Sequence, residues 1–191
     1  MQGKGNKGKI FEDSIKQSIP DYCMTHRLRD SGQAFTTHSQ TRFSWDNECD
    51  FFIFDDRHIL LYAVECKSTK FKSMSYETEE EYEYNKASKI KSNRMIKYHQ
   101  IQSLTNFSKF KNIVSGLFLN FRDDDKNFQR TYFLNIKDYN LMVQTLGKKS
   151  IDEIDILRHN AVKINGVLKR TRYAWDLNEF LSKYSLNYHR Q

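Results

Sequence analysis

The chain has few of the features that mark secreted, zinc-stabilised or membrane proteins. Its three cysteines, Cys23, Cys49 and Cys66, form an odd set without a Cys-x-x-Cys pair, which argues against a disulfide framework and against structural zinc. We therefore expect small buried thiols in a reducing cytoplasm. No apolar run approaches the length of a membrane-spanning helix, and the polar start MQGKGNKGK lacks the apolar core of a signal peptide. These absences predict a soluble, cytoplasmic protein with no membrane partner.

What the chain does contain is enough aromatic residue for a core, together with an excess of positive charge. The 191 residues include 14 Phe, 11 Tyr and 2 Trp, so a disordered polyelectrolyte is excluded. This length suits one domain with a sizeable core. The 31 Lys and Arg outnumber the 24 Asp and Glu, for a net charge of +7. That surplus points to a polyanionic partner such as nucleic acid, without specifying fold or chemistry.

Apolar periodicity predicts helices and strands in a mixed order. The C-terminal half contains a capping-box pattern, Ser150 followed by Glu153. Neither internal repeats nor an interior linker are present, so the order of elements indicates an α/β fold with a mixed sheet flanked by helices. The predicted helices lie in 10–19, 96–107, 137–146, 150–164 and 174–186, and the predicted strands in 49–54, 59–67, 114–121 and 130–136.

Two segments depart from this pattern. Residues 1–9 carry three lysines and three glycines and predict a flexible basic arm, which leaves 10–191 as a single domain. Within that domain, residues 70–90 are acidic and tyrosine-rich without a clear apolar face, and they predict an exposed insertion or lid.

The runs CDFFIF and ILLYAVECK, joined by DDRH, predict a β-hairpin with charged residues at one end. Residues i and i+2 of a strand share a face, so Glu65 and Lys67 project together with Cys66 opposite. Folding about DDRH would bring Asp50 near residues 63–65, about 5 to 8 Å from its cross-strand neighbours. Asp50 and Glu65 are therefore expected to face one another, with Lys67 just beyond.

Two converging carboxylates repel unless a cation lies between them. Mg²⁺ or Mn²⁺ suits such a site better than zinc, because neither Cys nor His lies at ligand spacing on that face. Mg²⁺ commonly takes one or two protein carboxylates, waters and phosphate oxygens, so a phosphodiester would complete the site. Lys67 would then position a water or stabilise the charge that develops in the transition state. The same pattern also fits a surface strand with an i,i+2 ion pair, which would stabilise by well under about 1 kcal/mol.

Asp at the head of one strand and Glu-x-Lys at the end of the next resembles the PD-(D/E)xK nuclease superfamily, which has the restriction-endonuclease-like fold. Over roughly residues 8–185 the order of further motifs resembles RecU-type Holliday-junction resolvases. Cys49 stands at the proline position of the superfamily's name, and the acidic stretch 74–85 is extra material. The motifs that carry the resemblance are GKIFEDSIK, ECKST, YHQIQSL, GLFLNF, TYFLNI and KKSIDEIDILRHNAVKI.

The resemblance implies a role for each matching residue. Asp50, Glu65 and Lys67 would form the metal and catalytic centre, with Asp50 and Glu65 as the metal ligands. Glu12 would be an auxiliary carboxylate near the metal or its waters; its alternative is a solvated helix acid. Gln100 would lie near the active site, while Gln102 would be exposed on another helical face. A symmetric homodimer is also implied, since two sites related by a two-fold axis can nick two strands symmetrically.

A nuclease needs cations along the DNA path, because phosphates supply most of the affinity. The implied activity is Mg²⁺-dependent cleavage of four-way junctions or other branched DNA, in a bacterial cell or in a host cell when phage-encoded. The alternatives are a nuclease of the same fold that cuts other branched or duplex DNA, and a non-catalytic DNA-binding recombination factor. The candidate phosphate contacts are Lys7, Lys9, Lys70, Lys72, Arg94, Lys97, Lys169, Arg170 and Arg172.

Overall fold

The structure, a computed structural model, describes residues 6–28 and 47–188. Its helices are α1 (Lys7–Ser18), α2 (Glu79–Ala87), α3 (Tyr98–Phe107), α4 (Ile136–Thr145), α5 (Glu153–Arg158) and α6 (Leu177–Tyr188). Its strands are β1 (Cys23–Arg27), β2 (Phe51–Asp55), β3 (Leu60–Thr69), β4 (Ser73–Ser75), β5 (Ile113–Asp123), β6 (Phe128–Asn135), β7 (Ser150–Asp152), β8 (Val162–Ile164), β9 (Gly166–Lys169) and β10 (Arg172–Trp175).

A six-stranded mixed sheet in the order β1-β2-β3-β5-β6-β8 forms the centre of the fold. β3 and β5 run parallel, and every other neighbouring pair in this sheet is antiparallel. Two small two-stranded sheets, β4 with β7 and β9 with β10, lie outside it. The predicted α/β class, with a mixed sheet flanked by helices, is confirmed.

Each face of the sheet buries its own apolar cluster, because successive strand residues point to opposite sides. On one face α1 and α6 cover β3 and β5 through residues such as Phe11, Phe118 and Phe180. On the other face α3 and α4 pack against Leu117 and Leu119 of β5. β3 is nearly continuously buried, as expected for a strand covered on both faces.

The N-terminal helix begins at Lys7, within the range predicted to be an arm. Asn6 caps this helix, since its side-chain oxygen accepts a hydrogen bond from the backbone N–H of Gly8 at 3.1 Å. Lys7 and Lys9 are therefore helical residues with exposed side chains. The rest of the predicted arm, residues 1–5, lies outside the described residues.

The segment 70–90 is only partly the exposed insertion that the sequence predicts. Met74 and Tyr76 are buried in the second apolar cluster. Met74 lies in the strand β4, which pairs with β7, and Tyr76 directly follows that strand. Glu77 is buried as well, and it accepts hydrogen bonds from Asn85 and from the backbone of Tyr98. The exposed part is α2, which buries none of its residues.

Several boundaries near turns also differ from the prediction. The hairpin turn lies one residue later than DDRH: Asp55 is buried at the end of β2, and Ile59 is exposed with φ 53°. Asp55 can close the strand because its carboxylate accepts a hydrogen bond from the backbone N–H of Arg57 at 3.1 Å. The long helix predicted over 150–164 is only α5, capped by Asp152 and not by Ser150.

No helix within residues 6–28 and 47–188 has both the length and the apolar character needed to span a bilayer.

Candidate functional site

The candidate site lies where the β2–β3 ladder ends and β3 continues. The last antiparallel pair is Phe51 with Val64, and the backbone N–H of Asp50 donates to the carbonyl of Val64 at 3.0 Å. Beyond that point Glu65 and Lys67 share one face of β3, while Cys66 points into the apolar cluster on the other face. The sequence-based expectation for this local arrangement agrees with the observed register.

Asp50 continues the ladder with its side chain. Its Oδ2 accepts a hydrogen bond from the backbone N–H of Cys66 at 2.7 Å, so a carboxylate takes the place of the next backbone acceptor. A short bond from an N–H to a charged oxygen is among the stronger hydrogen bonds in proteins. Asp50 is thereby fixed against β3, beside Glu65.

Glu65 is the most deeply buried member of the site, with 3% of its surface exposed. Its Oε1 accepts hydrogen bonds from Lys67 Nζ at 2.7 Å and from Gln100 Nε2 at 2.6 Å. Both donors use the same oxygen, and within the described part of the chain Oε2 has no hydrogen-bond partner among the contacts found. Oε2 is thus the oxygen of Glu65 that these two donors leave unused.

The start of α3 orients the side chain of Gln100 toward Glu65. Its side-chain oxygen accepts from the backbone N–H of Lys97 at 3.4 Å, which is one half of a capping box. With the oxygen used in this way, the amide nitrogen faces Glu65. Gln102 is exposed, as predicted, so only Gln100 of the two glutamines reaches the site.

The burial and close contact of Glu65 and Lys67 shift the pKa values of both side chains. Burial raises the pKa of Glu65 from 4.5 to about 7; the nearby Asp50 acts in the same direction, and Lys67 opposes both. Burial alone would lower the pKa of Lys67, but the Glu65 carboxylate outweighs it and raises the pKa above its usual value. Lys67 therefore stays protonated at neutral pH, which argues against a role as general base.

Glu12 lies close enough to raise the pKa of Glu65 further, although it is one of the smaller contributors. It also forms an ion pair with Arg27 of β1. Sequence reasoning missed Arg27, whose guanidinium lies 6.0 Å from the ring centroid of Phe51. The nearby sequence signal is the alternation of half-buried and exposed residues in β1, which is visible only after the strand has been assigned.

The donor set fits a hard divalent cation with few protein ligands. Among the described residues, no group of three or more His, Cys, Asp or Glu side chains is placed to hold a metal ion. Mg²⁺ needs only one or two carboxylates when waters and phosphate oxygens supply the other positions. Asp50 and Glu65 could provide that pair, through oxygens at one end of the hairpin.

The cysteines do not take part. Cys49 and Cys66 are buried free thiols and Cys23 is half-buried, in agreement with the expected small buried thiols. Burial raises the pKa of Cys49 to about 12 and that of Cys23 to about 11. Since the thiolate is the reactive form, these are unreactive side chains at neutral pH.

The predicted phosphate contacts lie in three places. Lys70 and Lys72 are exposed directly after β3, and Lys97 adjoins Gln100 at the start of α3. Arg94, in contrast, is held by Glu81, with its Nε at 3.2 Å and its Nη2 at 2.8 Å from the two carboxylate oxygens. The remaining cations are exposed residues of α1 and the β9–β10 ribbon. Lys7 and Arg172 line a separate cleft on the α1 side of the sheet, whereas Lys9, Lys169 and Arg170 are not among the residues that line it.

Comparison with known proteins finds no family model that matches the chain. The chain is 25% identical over 190 residues to the SPbeta prophage-derived uncharacterized protein YotM of Bacillus subtilis strain 168, which covers 93% of this chain and 86% of that protein. A solved structure of Hjc, a Holliday junction resolvase from Archaeoglobus fulgidus, aligns with a TM-score of 0.45 and 13% identity, covering 81% of this chain and 93% of that one. The fold class stated above rests on the topology of this chain and not on that likeness.

Proposed function

We propose that this chain is a Mg²⁺-dependent, structure-selective DNA endonuclease with a restriction-endonuclease-like core. It would resolve Holliday junctions by symmetric nicking in recombination and repair, in the cytoplasm of a bacterial cell or, if phage-encoded, of the host cell. The observation that carries the proposal is the convergence of Asp50, Glu65, Lys67 and Gln100 at the open end of the hairpin.

The charge balance of the site supports metal-assisted chemistry. A buried carboxylate whose pKa is raised to about 7 is only weakly stable as an anion, and a bound cation would remove that penalty. Asp50 and Glu65 would hold Mg²⁺, or Mn²⁺ in its place, whose chemistry is to polarise the scissile phosphate and to activate a water. Two carboxylates are enough protein ligands for this ion, because waters and phosphate oxygens supply the other coordination positions.

The other residues would position and stabilise. Lys67, protonated and 2.7 Å from Glu65, would orient the attacking water or stabilise the charge that develops on the phosphate. Gln100 would keep the Glu65 carboxylate in one orientation. Glu12 would be an auxiliary carboxylate whose position is set by Arg27.

The proposal is tested on a synthetic four-way junction beside a linear duplex of the same length, with Mg²⁺ and with a chelator. Symmetric nicking of the junction alone, lost with chelator, is the expected result. Cleavage of both substrates would instead assign a less selective nuclease of the same fold. Tight binding without cleavage in either condition would identify a non-catalytic DNA-binding factor and would overturn the proposed enzymatic activity.

A further inference from the structure

A second polar cleft opens on the α1 side of the sheet. Its volume is about 140 Å³, and three separate elements line it: α1, the β5–β6 hairpin and the β9–β10 ribbon. Each element contributes one cation, namely Lys7, Arg122 and Arg172. These three cations come from distant parts of the chain and outnumber the one acid in the lining, Asp124, so the cleft carries a net positive charge.

Arg122 is the buried cation of this cleft, and only 9% of its side chain is exposed. Its Nε donates to Ser68 Oγ at 2.9 Å, and its Nη1 donates to both oxygens of Asp124 at 2.6 and 2.8 Å. Within the described residues its Nη2 has no hydrogen-bond partner among the contacts found. A guanidinium held in this way presents one pair of N–H donors in a fixed direction, which suits a phosphate oxygen.

The two other cations are exposed and are available to an anion. In the part of the chain that the structure describes, no salt bridge was found for either Lys7 or Arg172; Arg172 Nη1 donates instead to the neutral Gln17 at 2.7 Å. Lys7 is the first residue of α1, where the helix dipole adds positive potential. Lys169 and Arg170 lie next to Arg172 at the exposed tip of the ribbon.

The cleft is joined to the candidate active site through one residue. Ser68, which accepts the hydrogen bond from Arg122, follows Lys67 on β3 and also donates to Asn120 Oδ1 at 2.7 Å. Both the cleft and the Asp50–Glu65 pair lie toward the C-terminal end of β3, but Ser68 shares the face of Cys66 and not that of Glu65 and Lys67. The cleft therefore opens on the opposite face of the sheet, and a nucleic acid that passes around this end of β3 would reach both.

We infer that the cleft between α1, the β5–β6 hairpin and the β9–β10 ribbon binds a backbone phosphate of the DNA substrate, distinct from the scissile phosphate. This inference rests on the proposed function, which supplies DNA as the ligand. In the unbound protein Asp124 is bound to Nη1 of Arg122, beside the Nη2 donors assigned to the phosphate, and its negative charge opposes an anion there. Because 43% of its side chain is exposed, it can move aside when the phosphate enters.

The first test compares two double variants in the Asp50→Asn background, which separates binding from cleavage. Lys7→Gln with Arg172→Gln removes two cleft cations. Lys109→Gln with Lys183→Gln removes the same charge from exposed lysines, one just after α3 and one on α6, which are not among the residues lining the cleft. Affinity for the junction is measured from 50 to 300 mM salt, without metal.

Loss of one phosphate contact should lower the slope of log affinity against log salt by about 0.9, with a drop of roughly 3- to 10-fold in affinity at 150 mM salt. The control pair should leave the slope unchanged. Equal slopes for the two double variants would overturn the inference.

A second test removes a negative charge from the cleft, so junction binding should become tighter and not weaker. Asp124→Asn removes the carboxylate that competes for Arg122 and should tighten junction binding by about 2- to 5-fold beyond Asp125→Asn, which makes the same charge change one residue away. Equal effects of the two would contradict a phosphate at Arg122. Wild-type cleavage together with unaltered binding by all cleft variants overturns only this inference, whereas absence of any DNA binding by the wild type overturns the proposed function.

Discussion

At the scale of single residues, the protein keeps a carboxylate where burial makes its charge unfavourable. Glu65 lies beside Asp50 and is compensated by one ammonium and one amide, both on the same oxygen. A satisfied structural ion pair would use both oxygens and would not place a second acid next to the first. This imbalance is typical of sites whose charge is completed by a ligand.

Asp50→Asn should abolish cleavage and leave the fold intact. The asparagine oxygen can still accept from the Cys66 N–H, while the repulsion with Glu65 disappears. We therefore expect a melting temperature without metal that equals or exceeds the wild type, with junction binding retained. Asp125→Asn, on an exposed turn, is the matched control and should remain active. Cleavage by Asp50→Asn would exclude Asp50 as a metal ligand.

The raised pKa of Glu65 predicts a pH-dependent stability difference. Folding raises this pKa from 4.5 to about 7, so the folded protein holds the proton more tightly than the unfolded chain. The resulting stabilisation is complete below about pH 4.5 and is lost as the pH rises through about 7. Relative to Glu65→Gln, the metal-free wild type should lose on the order of 1–3 kcal/mol between pH 4.5 and 8.

Denaturant unfolding of both proteins at several pH values measures this difference, because titrating groups that do not interact with Glu65 contribute equally to both proteins. A constant difference from pH 4.5 to 8 would show that Glu65 is ionised throughout. Mg²⁺ affinity, measured by calorimetry, should rise over the same interval, since the carboxylate must lose its proton to bind.

Gln100 and Gln102 offer a matched pair on one helix. Gln100→Met removes the donor to Glu65 and half of the capping box but keeps the length of the side chain. We expect cleavage to fall about 10- to 100-fold, as for other positioning contacts around a metal, with a stability loss of about 1 kcal/mol. Gln102→Met, on the exposed face, should change neither. Similar cleavage rates for both variants would show that Gln100 has no part in the catalytic site.

At the scale of elements, the β9–β10 ribbon depends on a close approach of backbone to an aromatic ring. A Cβ at Gly166 would lie 2.3 Å from Cε3 of Trp175. Trp175 is itself fixed, since its Nε1 donates to Ser14 Oγ at 2.9 Å and its ring contacts Phe11 edge-on. The ribbon that presents Arg172 is thus anchored to α1 through this indole.

Gly166→Ala should displace the Trp175 ring and destabilise the protein by about 1–3 kcal/mol, as expected for overpacking. A shift of tryptophan fluorescence should accompany the loss of stability. Gly147→Ala is the control, because nothing lies within 4 Å of its Cβ position, and it should be within about 0.5 kcal/mol of the wild type. Unchanged fluorescence in Gly166→Ala would show that the contact can relax without moving Trp175.

At the scale of the whole molecule, the sheet carries two charged surfaces at one end: the Asp50–Glu65 pair and the positive cleft on the α1 side. The net charge of +7 adds a general attraction for DNA, and it acts mainly on the rate of encounter. The position of one DNA strand over Asp50 and Glu65 would then depend on the local cations and not on the total charge.

Symmetric nicking predicts a homodimer, because one chain offers only one such site among its described residues and a two-fold axis would supply the second. Sedimentation equilibrium at micromolar concentration should give a mass of twice 22.9 kDa. A mixture of wild type with excess Asp50→Asn should then nick one strand of a junction, without the paired nick. A monomer that still makes paired nicks would contradict the dimer.

Local sequence determined much of the site, because strand alternation and hairpin register are short-range properties. The period of two put Glu65 and Lys67 on one side and Cys66 on the other, and the turn near Asp55 brought Asp50 to the level of Glu65. The apolar runs around β3, β5 and β6 were equally sufficient to predict a mixed sheet flanked by helices. Each of these inferences needed only neighbours along the chain or across one turn.

Tertiary structure alone decided the rest, since contacts between distant segments leave no local pattern. The hydrogen bond from Gln100 to Glu65 spans 35 residues, and Arg27 meets Glu12 across a turn that sequence could not orient. β4 and β7 are three residues long, too short for periodicity to identify, and their pairing buries part of a segment whose charge predicted exposure. Arg122 became significant only when packing placed it beside Ser68, Lys7 and Arg172, because convergence of cations is a property of the folded surface.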